Sequence, residues 1–155
     1  MGVDVKAKLA ELGITLPEAA LPVAAYIPAV RTGNLVFTAG QLPLVNGAIP
    51  AVGKVGGEVT PEVAKDMAQV CALNAIAAIG LVADINKIKR IVQVRGLVNG
   101  VAGFVGHPGV VNGVSELYIK IWGDENGKHA RTAIGVAELP LNAPVEVEVV
   151  VELEG

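Results

Sequence analysis

A chain of 155 residues, 52% hydrophobic and only 17% charged, is long enough for one real core and too short for two comfortable ones. Its net charge of −3, its 3% aromatic content and the absence of any Lys or Arg run exclude the basic, base-stacking surface of a nucleic-acid binder. Its unbroken apolar runs fall far short of the ~20 residues of a membrane span, Met1 to Lys6 shows no leader-like pattern, and the lone Cys71 excludes an internal disulfide, so a cytoplasmic protein is expected.

Along the chain, apolar Val5, Leu9 and Leu12 with Gly13 behind them predict a short amphipathic helix over Val3 to Leu12. It belongs to an N-terminal extension of residues 1–25, since Pro17, Pro22 and Pro28 forbid a long helix here. Tyr26 to Arg31 and Leu35 to Ala39 read as two strands joined at Thr32-Gly33-Asn34. Gln41 to Val59 is rich in Gly and Pro and reads as loop. Thr60-Pro61-Glu62 opens the clearest helix, because Thr60 can cap it, Pro61 suits its first position and Glu62 meets the positive end of its dipole; it runs to about Leu81.

Lys87 to Val98 alternates loosely and predicts a long strand. A glycine-rich turn from Gly100 to Gly109 leads to a second helix, Val111 to Trp122, which Gly123 to Gly127 ends. The strand bearing Arg131 follows, and then a last strand, Val145 to Leu153. There the odd-numbered positions are Val or Leu and share one face, while Glu146, Glu148, Glu152 and Glu154 share the other. The order predicts a single α+β domain over residues 1–155, with one mixed sheet covered on one face by two helices. No repeat, low-complexity tract or linker interrupts it.

Arg131 stands at the mouth of an apolar strand, where a guanidinium needs an anion, either a protein carboxylate or a ligand. Glu146 and Glu148 share a face, so alternation does not choose between them. Tyr26 reads equally as a packing residue and Asn112 as a helix cap. Cys71 falls on an apolar helix face and reads as core. His107 and His129 lack the partner spacing of a metal site, and neither a metal nor an organic cofactor is expected.

These residues together resemble the Rid or YjgF-like proteins, also described as endoribonuclease L-PSP, whose members are reactive enamine/imine deaminases. The resemblance covers Tyr26 to Leu153. It rests on Tyr26, on Gly33-Asn34 through Gly40-Gln41-Leu42-Pro43, on Asn112 as the residue opening the second helix, on Arg131-Thr132 with Leu139-Pro140, and on Glu146 in the place of the family's active carboxylate. It implies a chorismate-mutase-like fold and a homotrimer with three clefts between subunits. In each cleft Arg131 would hold the carboxylate of a small 2-imino acid, with Glu146 moving the proton during hydrolysis to a 2-keto acid and ammonia. Tyr26, Gly40, Asn112 and the backbone of Ala133 would line the substrate and its water.

The chain also departs from the family pattern. Ala133 replaces a common cysteine, Ala39 a common serine or threonine, and His129 a common proline, while the N-terminal segment and the loops at 41–59 and 100–109 mark a longer branch. The same residues therefore support a second reading, a non-catalytic trimer that binds small carboxylates. Ribonuclease activity ranks last, given the charge.

One expectation needs no resemblance. A 15.8 kDa monomer has little interior in which to hide so much Val, Ala, Leu and Ile, so the chain should self-associate. Light scattering at micromolar concentration should report a multiple of the chain mass; a monomer there would exclude it.

Overall fold

The computed structural model describes residues 2–155. Helix α1 spans Val5–Glu11; Asp4 caps it by accepting from the Ala7 N–H at 3.0 Å, and Gly13 leaves it at φ 71°. Val5 and Leu9 anchor it in the core, and the Val5 N–H donates to Asn86 Oδ1 at 3.0 Å. The N-terminal extension is therefore tied to the body at this helix.

Strands β1 (Ala29–Thr32) and β2 (Leu35–Thr38) form the expected hairpin. Its turn has a left-handed residue only at Gly33, φ 57°, the placement of a type II′ turn. The first strand begins at Ala29 and not at Tyr26, since Pro28 offers no N–H to a ladder and contributes only its carbonyl, which accepts from the Ala39 N–H at 2.8 Å. Helix α2, Pro61–Ile79, starts as its cap predicts, with Thr60 Oγ1 accepting from the Val63 N–H at 3.2 Å, and ends before Gly80.

A short 3-10 turn, Ile85–Lys87, leads into β3, Ile88–Val98. Helix α3 spans His107–Gly127 and thus starts four residues before the expected Val111, because Pro108 sits in the first turn, where a missing N–H costs nothing. Gly123, at φ 76°, breaks it where the sequence suggests, and a last turn follows. Asn112 consequently lies inside the helix and neither opens nor caps it. Strands β4 (Ala130–Gly135) and β5 (Val145–Leu153) complete the chain.

The five strands form one mixed sheet in the order β1-β2-β5-β3-β4, with only the β3–β4 pair parallel. Helices α2 and α3 cover one face. Val145, Val147, Val149, Val151 and Leu153 of β5 are buried beneath them, while Glu146, Glu148, Val150 and Glu152 are half-buried on the other face. That open face carries a continuous row through the ladder, Val30, Phe37, Val150, Gln93 and Ala130. Val30, Phe37 and nearby Ile134 keep 49%, 44% and 44% of their surface exposed. Within one chain the face has no cover.

Two glycines let α3 lie close on its neighbours. A Cβ at Gly113 would stand 2.2 Å from the Lys65 carbonyl oxygen on α2, and one at Gly96 of β3 would stand 2.3 Å from Val111 Cγ2. Backbone cannot yield as a flexible side chain does, so Gly113→Ala should cost about 2 kcal/mol through overpacking. Thermal melts should show a lowered midpoint; an unchanged midpoint would mean that the helices separate freely.

Candidate functional site

Two clusters collect the candidate residues. The first lies between β4 and α3. Residues Arg131 and Ala133 alternate onto the helix side of β4, since Arg131 pairs with Val94 of β3 and Ala133 with Gly96. Asn112 and Ser115, three apart on α3, share the helix surface that meets them. Arg131 Nη1 donates to Asn112 Oδ1 at 2.7 Å and to Ser115 Oγ at 3.3 Å.

The guanidinium is exposed, and β4 carries no fully buried residue. The expected setting of an arginine against buried apolar surface is thus corrected: β4 is an edge strand, which solvent reaches. Among the described residues Arg131 has no carboxylate partner. Its Nη1 is taken by two neutral acceptors, which leaves the edge formed by Nε–H and Nη2–H. That edge has the spacing of two parallel bonds to a carboxylate.

Sequence reasoning passed over Ser115 in this cluster and gave His129 no binding role. Ser115 Oγ lies 2.9 Å from His129 Nε2, and His129 Nδ1 lies 2.6 Å from the Gly127 carbonyl oxygen. Asn112-x-x-Ser115 on a helix was a usable signal, because residues three apart share a helix face, whereas His129 precedes β4 and its place beside Ser115 comes from the fold. His129 stays neutral more readily than a free imidazole, chiefly because it is buried and also because Arg131 is near; its bond to Gly127 opposes this.

The second cluster is built on β5. Gln41 exchanges both backbone hydrogen bonds with Val147, at 2.8 and 3.0 Å, and so carries Gly40 alongside Glu146. Buried Asn74 of α2 holds the following loop by donating to the carbonyls of Leu42 and Leu44, at 2.9 and 3.1 Å. A Cβ at Gly40 would stand 2.2 Å from Glu146 Oε1, so a side chain there would displace the carboxylate from its present position. Gly40 also lines a shallow cleft of about 110 Å³ with Tyr26, Pro28 and Gln41; Tyr26 lies in a bend outside β1 and is 57% exposed.

The structure separates the glutamates that alternation leaves equivalent. Glu148 pairs with Arg95 at 3.4 Å and Glu152 with Lys89 at 3.3 Å. Glu146 has no such partner among the described residues and lies half-buried, so burial, and secondarily the charge of Glu148, raises its carboxyl above the usual range. Cys71 lies behind it in the core, its thiol 3.7 Å from the Val145 carbonyl oxygen and pushed well up by burial. His107 stacks edge-on against Phe104 at 5.3 Å. Among the described residues no group of three His, Cys, Asp or Glu side chains could hold a metal ion, and no helix is long and apolar enough to cross a membrane.

The clusters lie on opposite faces of the sheet. Arg131 pairs with Val94 and Glu146 with Leu97, three residues along β3, so the two side chains project to opposite sides. A single chain does not turn both toward one ligand.

Comparison with known proteins places the chain by family and fold. Residues 6–153 match the family described as "YjgF/chorismate mutase-like, putative endoribonuclease". Protein TCP17 of Trypanosoma cruzi is 39% identical over 96% of this chain and 94% of its own. A 2-iminobutanoate/2-iminopropanoate deaminase of Dermatophagoides farinae is 29% identical over 91% of this chain and 95% of its own. The crystal structure of protein Atu1372 from Agrobacterium tumefaciens superposes with a TM-score of 0.88, at 41% identity over 97% of this chain and 92% of its own.

The Glu146 environment has a measurable consequence. Its carboxyl titrates above the ~4.3 of an unfolded glutamate, so it favours folding fully below that value and loses the contribution as pH rises through the folded one. Replacement by neutral glutamine removes that loss. Glu146→Gln should melt higher than the wild type at about pH 8 and equally at about pH 4. A difference that does not change with pH would rule out burial of the charge as its cause.

Proposed function

Since the chain belongs to the YjgF/chorismate mutase-like family, we propose that it hydrolyses small 2-imino or enamino acids to 2-keto acids and ammonia, in clefts between three copies of itself. The observation that carries this reading is the Arg131 guanidinium, fixed by Asn112 and Ser115, without a protein carboxylate and with one bidentate edge free. Such an edge selects a planar carboxylate and sets its orientation.

The split between the clusters favours assembly as part of the same reading. One copy supplies Arg131, Asn112 and Ala133, a neighbour supplies Tyr26, Gly40 and Glu146, and the uncovered face with Val30 and Phe37 meets the other copies. Residues 1–155 act as one domain, with the extension before Tyr26 lending Leu21 and Pro22 to the cleft wall.

In this cleft the imine carbon sits beside Glu146. A water adds to that carbon as the carboxylate takes one of its protons and returns it to the nitrogen, giving a carbinolamine; the carboxylate then moves the hydroxyl proton to the amino nitrogen, the C–N bond breaks, and ammonia leaves as the carbonyl forms. A carboxyl with a raised pKa takes up the water's proton more readily than an ordinary carboxylate, which suits it to carry that proton to the nitrogen. Backbone along the outer edge of β4 near Ala133 holds the water, a role that asks for no side chain. The named activity of the Dermatophagoides farinae relative supports the reaction class.

Ala39 and Ala133 favour a second reading, a trimer that binds small carboxylates without turning them over, because neither offers the polar side chain common at its position. The endoribonuclease of the family description fits less well with a net charge of −3.

Both readings need Arg131, and only one needs Glu146. Arg131→Ala should weaken binding of a small 2-keto acid at least tenfold and abolish release of ammonia from freshly generated 2-imino acids. Glu146→Gln should keep binding within about twofold and lower turnover by about 10²-fold or more. No rate above buffer across several imino acids, with binding intact, would leave the binding trimer in place of the enzyme.

A further inference from the structure

We propose that Ser115 and His129 are positioning residues for Arg131, forming a one-way hydrogen-bond chain that decides which edge of the guanidinium meets the ligand. The proposal rests on the reading of Arg131 as the anion-holding group and deepens it.

The direction of every bond follows from the last acceptor. The Gly127 carbonyl can only accept, so His129 Nδ1, 2.6 Å away, carries a proton and donates. In the neutral ring Nε2 is then an acceptor, and the Ser115 hydroxyl, 2.9 Å away, donates to it. With its proton directed to the imidazole, Ser115 Oγ presents a lone pair to Arg131 Nη1 at 3.3 Å. Asn112 Oδ1 receives the other Nη1 hydrogen at 2.7 Å, so both hydrogens of that nitrogen are accounted for.

Each link is held from behind. His129 packs edge-on against Tyr118, centroids 6.3 Å apart, and buried Tyr118 in turn donates its hydroxyl proton to the Ala72 carbonyl on α2 at 3.0 Å. The orientation of an exposed arginine is thereby referred to the packed interior. Burial and the charge of Arg131 favour the neutral imidazole, the state the chain requires, against the opposing bond to Gly127.

Without the serine hydroxyl, Nη1 loses one of its two fixed acceptors, and the guanidinium samples rotations in which the Nε and Nη2 edge no longer faces the ligand. Both groups approaching the arginine are neutral. They restrain it without competing for its charge, as a carboxylate would.

Pyruvate serves as the probe, with the intact chain in its native assembly. Ser115→Ala should weaken pyruvate binding about tenfold while the melting temperature stays unchanged, and Ser115→Thr, which keeps the hydroxyl, should restore it to within about twofold. Nitrogen-15 NMR of the wild type should show His129 as the Nδ1-protonated neutral tautomer, with Nε2 shifting on Ser115→Ala. His129→Gln gives an independent second variant and should also weaken binding. If Arg131→Ala loses pyruvate while Ser115→Ala and His129→Gln bind as the wild type, or if the ring carries its proton on Nε2, the positioning role is overturned and the anion site stands. If the wild type shows no saturable binding, or binding survives Arg131→Ala, the reading of Arg131 falls and this inference falls with it.

Discussion

The two-residue alternation of a strand is the constraint on which the site depends, and β3 is the strand that imposes it. β3 pairs on one side with β5 and on the other with β4, so the register of both candidate clusters is counted along the same backbone. Arg131 opposite Val94 and Glu146 opposite Leu97 differ by an odd number of residues, which sends them to opposite faces. A one-residue slip in the β3–β5 ladder would bring them together on one chain, but it would also turn the buried valines of β5 toward solvent. Burial of Val145, Val147, Val149 and Val151 thus holds the two halves of the site apart.

Electrostatics then separates groups that geometry leaves alike. Glu148 and Glu152 share the face of Glu146 but pair with Arg95 and Lys89, at 3.4 and 3.3 Å. Glu146 lies beyond those cations, beside Gly40 and above the buried β5 valines, where the cost of burying its charge goes uncompensated. The arginine shows the opposite arrangement: an exposed charge fully engaged on one nitrogen by an amide and a hydroxyl, with its remaining donors outward. One cluster thus holds a half-buried carboxyl with no cation partner and the other an exposed cation with no carboxylate partner among the described residues.

Much of this architecture was legible in the residues because its signals are local. Thr60-Pro61 marked the start of α2, Gly33 the hairpin turn, and strict alternation from Val145 to Leu153 reproduced β5 to the residue. The start of α3 was misplaced because Pro108 and Gly109 look like loop punctuation, whereas proline in the first turn of a helix is tolerated. Tyr26 was read into β1 because its apolar neighbours fit a strand, and the missing N–H of Pro28 decides otherwise. What sequence could not supply was any relation across the sheet. That Glu148 has a cation and Glu146 none, or that Ser115 meets His129, depends on pairings more than ten residues distant in sequence.

The division of the site also bears on why Ala133 and Ala39 are tolerable. Ala133 lies on β4, an edge strand whose outer side has no strand partner among the described residues. A water or a ligand oxygen placed along that edge can be held by the main chain, and the side chain there need only be small. Ala39 precedes Gly40 on the opposite cluster, where its N–H is bound to Pro28 and its carbonyl accepts from the Gln41 side chain at 3.2 Å. Its backbone is thus already committed to holding the cleft wall, and the polar work of that cluster falls to Tyr26 and Glu146. The loss of two polar side chains therefore shifts the burden onto orientation, and the arginine that must carry it is the group whose rotation the Ser115–His129 chain restrains.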